Sequence, residues 1–225
     1  SENIKDAEYI LVNSKDNLES AKSMKVNLGK KCIHRIDGVF KLYRGDHEYY
    51  NDLNVYKFSK YFADGIIFQS EWSRTKHKEN GMSDHENETV IFNAPDPTLF
   101  NDNHLRVRDK IRLITTSWSN NWGKGFKTLQ FLDENLDFEK YDYTFVGNSP
   151  IQFKNIKMKS AMNSVDLSNE LNMHDIFVTA TENDTCSNSL LEALHCGLPV
   201  VGLNSGGTPE IINEGGFIFN NTDDI

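Results

Sequence analysis

The sequence predicts an α/β protein with two Rossmann-like domains, each built on a parallel sheet. Short apolar segments alternate along the chain with segments whose apolar residues recur at i, i+3 and i+4, as in residues 53–63. Continuous apolar strands separated by amphipathic helices are typical of parallel sheets that carry helices on both faces. The predicted strands are residues 9–14, 31–37, 65–70, 89–94, 110–117, 143–148, 175–181, 198–203 and 216–219.

One segment, residues 93–104, interrupts this alternation. Its two prolines and three asparagines make it a poor helix or strand. We therefore place a domain boundary just after it, near Arg106, which gives domains of residues 1–106 and 107–225. A chain of 225 residues is long enough for two modest domains, and the cleft between such domains is a usual place for a ligand.

The charge balance argues against nucleic acid as a partner. The chain has 33 acidic and 24 basic residues, whereas a protein that binds the phosphate backbone normally carries a basic stripe. No apolar run approaches the ~20 residues that span a bilayer, and the first residues lack a signal-peptide pattern. These features predict a cytoplasmic protein, with peripheral attachment to a membrane surface left open.

The three cysteines, Cys32, Cys186 and Cys196, are an odd number without a Cys-x-x-Cys pair. This pattern argues against a disulfide framework and against a zinc cluster. Each cysteine lies in or beside an apolar segment, which predicts buried free thiols in a reducing compartment. The sequence also has no Asp-x-Asp motif and no histidine-rich cluster, so it predicts neither a metal site nor a bound cofactor.

Residues 181–199 contain the most informative spacing in the chain. Asp184 and Glu192 lie eight positions apart across a predicted strand-to-helix turn, and the second acid falls in the first turn of the predicted helix. Such a turn can bind a diphosphate through backbone N–H groups and sugar hydroxyls through the two carboxylates. The residues predicted to offer these N–H groups are Ser187, Asn188 and Ser189.

A structural interpretation of the same residues stays open. Ser189 and Glu192 have the spacing of a capping box, in which the glutamate binds only backbone N–H groups. Asp184 is then an ordinary loop acid near a helix N-terminus. In either case the predicted helix, residues 188–196, ends before Gly197.

Lys124 is a second candidate and lies between Gly123 and Gly125, after the predicted strand 110–117. Glycines let a backbone approach a ligand closely, and a lysine supplies a mobile positive charge for a diphosphate. The alternative is a surface turn with a solvated lysine. Gly147 ends another predicted strand, at an edge where a nucleotide base usually packs in doubly wound folds.

Several of these segments resemble a known family. Residues 189–201, Ser-Leu-Leu-Glu-Ala-Leu-His-Cys-Gly-Leu-Pro-Val-Val, resemble the family 4 retaining glycosyltransferases, which have the GT-B fold. In that family the acid that matches Glu192 holds ribose hydroxyls, and the acid that matches Asp184 contacts the transferred sugar. The lysine that matches Lys124 neutralises the leaving phosphate. Asp37, which precedes Gly38 at the end of a predicted strand, occupies the place of a histidine that faces the reacting sugar.

The chain also departs from the pattern of the family. Asp184 stands where glutamate is commoner, and Ser119 stands where many members carry an arginine. The resemblance covers about residues 30 to 220, while members have a longer first domain and further C-terminal helices. The resemblance therefore implies a GT-B chain whose N-terminal domain is incomplete.

The function that the resemblance implies is sugar transfer from a nucleoside-diphosphate sugar, with retention of anomeric configuration and without a metal. The nucleotide sugar would be a donor substrate and not a cofactor, and the acceptor would be a glycan, lipid or protein of unknown identity. Lys124 and the N–H groups of residues 187–189 would stabilise the departing diphosphate. Two alternatives stay open: an inactive nucleotide-sugar-binding or regulatory module, and a GT-B nucleotide-sugar epimerase.

Overall fold

A computed structural model describes residues 6–103 and 109–225 of the chain. By its internal contacts the chain divides into two units, Ser1–Phe92 and Asn93–Ile225. Each unit consists of one parallel sheet with helices packed on it. The predicted α/β class with two parallel sheets is therefore confirmed.

The first unit alternates strands and helices, as the sequence pattern predicts. In chain order its elements are β1 (Tyr9–Asn13), α1 (Leu18–Leu28), β2 (Lys31–Ile36), α2 (Phe40–Arg44), α3 (Tyr49–Phe62), β3 (Gly65–Phe68), α4 (Glu71–Glu79) and β4 (Glu88–Val90). The four strands follow one another in the sheet in the order β1-β2-β3-β4, and all neighbours are parallel. Since consecutive strands are neighbours, the described part of this sheet never reverses its strand order.

Helix α3 organises the core of this unit, because its apolar residues recur every three or four positions. Val55 and Tyr56 pack in a cluster with Ile36, Ile66 and Phe68 from the sheet. Further along the helix, buried Phe58 joins a second cluster with residues of β1 and α1. Packing on this single long helix thus fixes the positions of β2 and β3, and with them the residues that follow each strand.

The second unit contains a larger sheet. Its elements are β5 (Ile111–Ser117), α5 (Phe126–Asn135), β6 (Tyr141–Gly147), β7 (Lys157–Lys159), α6 (Ser164–Asn172), β8 (Ile176–Thr179), α7 (Asn188–His195), β9 (Val200–Leu203), α8 (Thr208–Ile212) and β10 (Gly216–Phe219). The strand order is β10-β9-β8-β5-β6-β7, and all pairs are parallel. After β7 the chain crosses back through α6 and places β8 on the other side of β5. The carboxyl ends of β5 and β8 therefore flank a topological switch point, where open α/β sheets bind their ligands.

The described part of the proline-rich linker, residues 93–103, packs on the second unit. Phe100 is only 4% exposed and joins the core cluster of that unit with Ile114 and Leu171. Backbone groups of the linker are also satisfied there, since Ser168 Oγ donates to the Leu99 carbonyl at 2.6 Å. This division differs from the predicted boundary near Arg106, a residue that lies outside the described ranges.

Most strands begin and end within a few residues of their predicted positions, but β7 was not predicted. Its sequence, Lys-Met-Lys, is three residues long and has no apolar run, so only its pairing with β6 makes it a strand. Helix α3 begins at Tyr49 and ends at Phe62, against the predicted 53–63. Within residues 6–103 and 109–225, no helix combines the length and the apolar character that crossing a membrane requires.

Phe100→Ala tests whether the linker belongs to the second unit. We expect the free energy of unfolding of that unit to fall by about 3 kcal/mol, because the substitution leaves a cavity in a packed core. Phe217→Ala is the matched control: Phe217 is 57% exposed, and its loss should cost about 0.5 kcal/mol or less. Urea unfolding curves of the two variants make the comparison, and equal stabilities would show that the linker is not part of this core.

Candidate functional site

The candidate site lies at the switch point of the six-stranded sheet. Strands β5 and β8 pair directly through Leu113 with Ile176 and Ile114 with Phe177. The loop after β5 carries Lys124, and the loop after β8 leads through Asp184 to α7. Two residues that the sequence predicts to bind the ligand, Lys124 and Asp184, thus lie on the two loops that border the crevice.

The loop after β5 is folded tightly against the end of β8. A short 3-10 helix begins after Asn121, whose side chain accepts a hydrogen bond from Gly123 N–H at 2.8 Å. The Gly123 carbonyl in turn accepts from Glu182 N–H at 2.8 Å. Gly125 has φ +86°, and a Cβ atom there would lie 2.6 Å from the Cβ of Ala180. The glycine is therefore required by close packing of one loop on the other.

Lys124 and Asp184 form an ion pair across the two loops. The Lys124 Nζ lies 3.0 Å from an Asp184 carboxylate oxygen, and the two side chains are 36% and 17% exposed. The other Asp184 oxygen accepts from Cys186 N–H at 3.3 Å. Lys124 is therefore partly exposed and paired with a carboxylate, and its role in binding a phosphate stays a prediction.

The glycine-rich loop after β9 holds the backbone of Asp184 in place. Gly207 N–H donates to the Asp184 carbonyl oxygen at 2.7 Å, and Ser205 Oγ accepts from Asn183 N–H at 2.9 Å. Gly206 has φ +65°, and any Cβ atom there would overlap the Asp184 carbonyl oxygen. The glycine at 206 is thus required by the close approach of the β8–α7 loop.

Helix α7 opens toward the same crevice. Ser187 is its N-cap and accepts a hydrogen bond from Leu190 N–H, and its hydroxyl lies 3.0 Å from that of Ser189. Asn188 and Ser189 occupy the first two helical positions, where backbone N–H groups have no partner inside a helix. The start of α7 therefore presents donors and the positive end of the helix dipole, as the sequence predicts.

The position of Glu192 in its helix differs from the predicted one. Because Ser187 is the N-cap, Glu192 is the fifth helical residue and lies beyond the first turn. The alternative interpretation of Ser189 and Glu192 as a capping box is consequently wrong. Glu192 is half-buried, and burial raises its pKa to about 7. In the described part of the chain its carboxylate has neither a hydrogen bond nor an ion pair.

The turn between β5 and α5 borders the end of β6. Gly147 pairs with Ser117 at the last position of the two strands. Asn148 N–H then donates to the Ser117 carbonyl at 2.9 Å, and Asn148 Nδ2 donates to the Trp118 carbonyl at 2.7 Å. Ser119, which stands where the resemblance implies an arginine, accepts from Ser117 Oγ through its carbonyl at 2.8 Å and is a turn residue.

Asp37, the candidate in the first unit, directly follows β2 and is held by side chains that follow β3. The buried side chain of Gln69 donates to an Asp37 carboxylate oxygen and, at 3.1 Å, to the Ile36 carbonyl. The Asp37 carbonyl accepts from His77 Nε2 at 2.7 Å and from Ser73 Oγ at 3.4 Å. Asp37 is thereby fixed in orientation while its side chain remains 48% exposed.

The histidine in this network is neutral. Burial lowers the pKa of His77 to about 4. Because a carbonyl oxygen only accepts, Nε2 carries the proton, and Nδ1 accepts from the Tyr56 hydroxyl at 3.2 Å. Sequence analysis missed Gln69, Ser73 and His77, which follow Asp37 by 32, 36 and 40 residues. One usable signal was that Gln69 directly follows β3, the strand beside β2.

Lys124, Asp184 and the start of α7 are therefore brought together in the second unit, and Asp37 is fixed in the first. Across residues 6–103 and 109–225, the His, Cys, Asp and Glu side chains form no group of three or more that could hold a metal ion. The roles of the candidate residues in binding and catalysis stay predictions.

Comparison with known proteins points to one class of enzyme. The sequence profile described as "Glycosyl transferases group 1" matches residues 131–225. Sulfoquinovosyl transferase SQD2 of Arabidopsis thaliana is 32% identical over 108 residues, 42% of this chain and 21% of that protein. One subunit of the phosphatidylinositol N-acetylglucosaminyltransferase of Homo sapiens is 27% identical over 140 residues, 56% of this chain and 29% of that protein. The matched part thus spans less than a third of either relative.

Solved structures share the fold at low sequence identity. Anabaena Alr3699/HepE in complex with UDP-glucose has a TM-score of 0.77 at 15% identity, over 96% of this chain and 66% of that one. Sucrose-phosphate synthase from Thermosynechococcus elongatus also has a TM-score of 0.77, at 12% identity, over 96% of this chain and 62% of that one. The predicted GT-B fold is confirmed. The profile and the two relatives are named for sugar transferases, whereas the solved structures show the fold alone.

The burial of Glu192 predicts a pH-dependent cost in stability. Its folded pKa of about 7 lies above the ordinary 4.5, so the folded chain should lose stability as the pH rises from about 4.5 to about 7. Glu192→Gln removes this loss. We expect the variant to match the wild type near pH 4 and to be more stable by ~2 kcal/mol at pH 8.

Urea unfolding at pH 4, 6 and 8 measures this difference. Glu214→Gln, which changes an exposed glutamate of the same unit, should follow the wild type at every pH. A constant offset between Glu192→Gln and the wild type across this range would contradict the assigned pKa.

Proposed function

We propose that this chain is a metal-independent, retaining glycosyltransferase of family 4 type, and that its second unit binds a nucleoside-diphosphate sugar. The observation that carries the proposal is Glu192, a half-buried carboxylate without a partner in the described chain, on the helix that begins beside the Lys124–Asp184 pair. Supporting observations are the matched profile over residues 131–225 and a structural neighbour that binds UDP-glucose.

The diphosphate of the donor binds at the start of α7. The N–H groups of Asn188 and Ser189, with the positive end of the helix dipole, stabilise its negative charge. Lys124 adds a positive charge from the neighbouring loop, where it is paired with Asp184. The same groups stabilise the diphosphate more strongly as it departs, because negative charge develops on it in the transition state.

Glu192 holds the ribose, and Asp184 orients the transferred sugar. A carboxylate can accept hydrogen bonds from two adjacent hydroxyls, and the cost of burying Glu192 is offset when such donors arrive. Asp184 has one oxygen on Lys124 and the other on a backbone N–H, so its position is fixed before the sugar enters.

The reaction breaks the bond between the anomeric carbon and the leaving diphosphate oxygen. The acceptor hydroxyl forms its new bond on the same face of the sugar, and its proton passes to the departing diphosphate oxygen. Asp37 faces the acceptor side in this proposal. A lipid is one acceptor class we favour, since the human relative is named for phosphatidylinositol; glycan and protein acceptors fit the same chemistry. We place the chain in the cytoplasm, with peripheral membrane association.

The first test is binding of UDP-, GDP- and ADP-sugars by calorimetry, followed by nucleotide release with and without candidate acceptors. Lys124→Ala should weaken binding of the preferred donor by about 5- to 150-fold, because a charged hydrogen bond worth ~1–3 kcal/mol is lost. Lys127→Ala, an exposed lysine three positions further on, is the matched control and should bind like the wild type. Equal affinity of the two variants would remove Lys124 from the site.

Nucleotide release distinguishes the proposal from its alternatives. Release that requires an acceptor supports a transferase. Tight binding without any release indicates an inactive module, and acceptor-independent release of an altered sugar indicates an epimerase. Slow hydrolysis of the donor is measured separately in reactions without an acceptor.

Asp184→Asn separates binding of the leaving group from orientation of the sugar. We expect the variant to bind UDP several-fold more tightly than the wild type, because Lys124 no longer has a competing carboxylate 3.0 Å away. Turnover of the UDP-sugar should nevertheless fall at least tenfold, because the sugar loses its orienting group. If UDP binding weakens instead, Asp184 supports the phosphate site and does not compete with it.

A further inference from the structure

We propose that Asn93 is a positioning residue of the donor site, which holds the side-chain amide of Asn188 so that only its nitrogen can meet the diphosphate. The inference rests on the proposed function and names a residue that lies outside the matched profile, residues 131–225. Three observations carry it: the hydrogen bonds from Asn93 to the segment that begins α7, the amide orientations that these bonds determine, and an exposed amide nitrogen that they leave for a ligand.

Asn93 begins the second unit and contacts the segment that leads into α7. Its backbone N–H donates to the sulfur of Cys186 at 3.3 Å, and its side-chain Nδ2 donates to the Cys186 carbonyl at 3.1 Å. The same Nδ2 donates to Asn188 Oδ1 at 2.8 Å. Asn93 is thus bonded to both residues that flank Ser187, the N-cap of the helix.

These contacts determine which end of each amide faces the other. A carbonyl oxygen only accepts hydrogen bonds, so the Asn93 atom beside the Cys186 carbonyl must be its nitrogen. That nitrogen donates one hydrogen to Cys186 and the other to Asn188. The Asn188 atom that receives the second hydrogen must be its oxygen, because an amide nitrogen only donates. The nitrogen of Asn188 is therefore the end of the amide that Asn93 does not use.

The amide nitrogen of Asn188 is left for a ligand. Asn188 is exposed, and among the described residues Asn93 is the partner of its side chain. It is the first residue of α7, on the turn whose backbone N–H groups form the proposed diphosphate site. An asparagine can ordinarily turn either its oxygen or its nitrogen toward a ligand. With its oxygen held by Asn93, Asn188 donates, which suits a diphosphate.

A donor of fixed polarity matters at this site because the assigned cation is already paired. Lys124 lies 3.0 Å from Asp184, so its charge is partly balanced. A neutral donor on the first turn of α7 adds attraction for the diphosphate, and it needs no reorganisation when the diphosphate arrives. Asn93 acts through Asn188 in this way and is a positioning residue for that reason.

A double-mutant cycle on the full chain of 225 residues tests the inference. Calorimetry measures the binding of UDP, GDP and ADP, and the cycle is read on the nucleotide that binds best. Asn93→Leu and Asn188→Leu should each weaken its binding about tenfold, the equivalent of one hydrogen bond. In the Asn188→Leu background, Asn93→Leu should cost less than about twofold more, because the amide that it positions is already absent.

Asn220→Leu is the matched control, because it also breaks an exposed pair of asparagines in the same unit. In that pair Asn204 Nδ2 donates to Asn220 Oδ1 at 2.9 Å. The control should bind the nucleotide like the wild type. Urea unfolding shows whether each variant folds, and Asn93→Ala takes the place of Asn93→Leu in the cycle if the leucine variant does not.

The cycle distinguishes positioning of Asn188 from general support of the loop. Equal losses from Asn93→Leu in the two backgrounds would overturn the inference, because a purely structural role does not depend on the amide of Asn188. Wild-type affinity of Asn93→Leu would overturn it as well, and both results leave the proposed function intact. If the wild type binds none of the three nucleotides, the proposed function and the inference fail together.

Discussion

Close backbone packing between the loops after β5 and β8 is the constraint on which the candidate site depends. The Gly123 carbonyl bonds to Glu182 N–H, and Gly125 leaves no space for a side chain against the end of β8. These contacts bring Lys124 within 3.0 Å of Asp184. A partly exposed ion pair contributes only about 0–1 kcal/mol, so the pair is a result of the loop packing and not its cause. A ligand can therefore open it at low cost while the loops stay in place.

Carboxylates with little or partial exposure in the second unit fall into two kinds, and the contrast supports the role proposed for Glu192. Asp133 is 5% exposed, but its carboxylate accepts N–H groups of three consecutive residues, 154–156, each at 2.7 Å. Glu170 is 4% exposed and is bonded through both oxygens to Lys159. Glu192 has no such compensation within the described chain, and its raised pKa records that cost. A residue that lowers the stability of the folded state is expected where function requires it.

Sequence reasoning found the strands and the start of α7 because these depend on local patterns. The apolar run at 175–181 is enough to predict a strand and where it ends. The serine and asparagine residues at 187–189 are enough to predict the start of a helix. It missed β7, which exists only through pairing with β6, and the packing of Phe100, which depends on a tertiary pocket. It also left the cap open among adjacent residues, since several of them are good caps, and the structure selects Ser187. The hydrogen-bond network around Asp37 joins segments that are distant in the sequence, so residue spacing does not reveal it.

The charges of the proposed donor site determine how it can select its ligand. Lys124 contributes one positive charge, which Asp184 balances, and Glu192 adds a negative charge when ionised. Ser119 supplies no charge where the resembled family often has an arginine. Coulomb attraction alone is thus too weak to hold a diphosphate, and in the proposed site most of the affinity would come from helix N–H groups and from ribose hydroxyls on Glu192. Such a site would discriminate a whole nucleotide from inorganic phosphate, because the rest of the nucleotide makes contacts that inorganic phosphate cannot make.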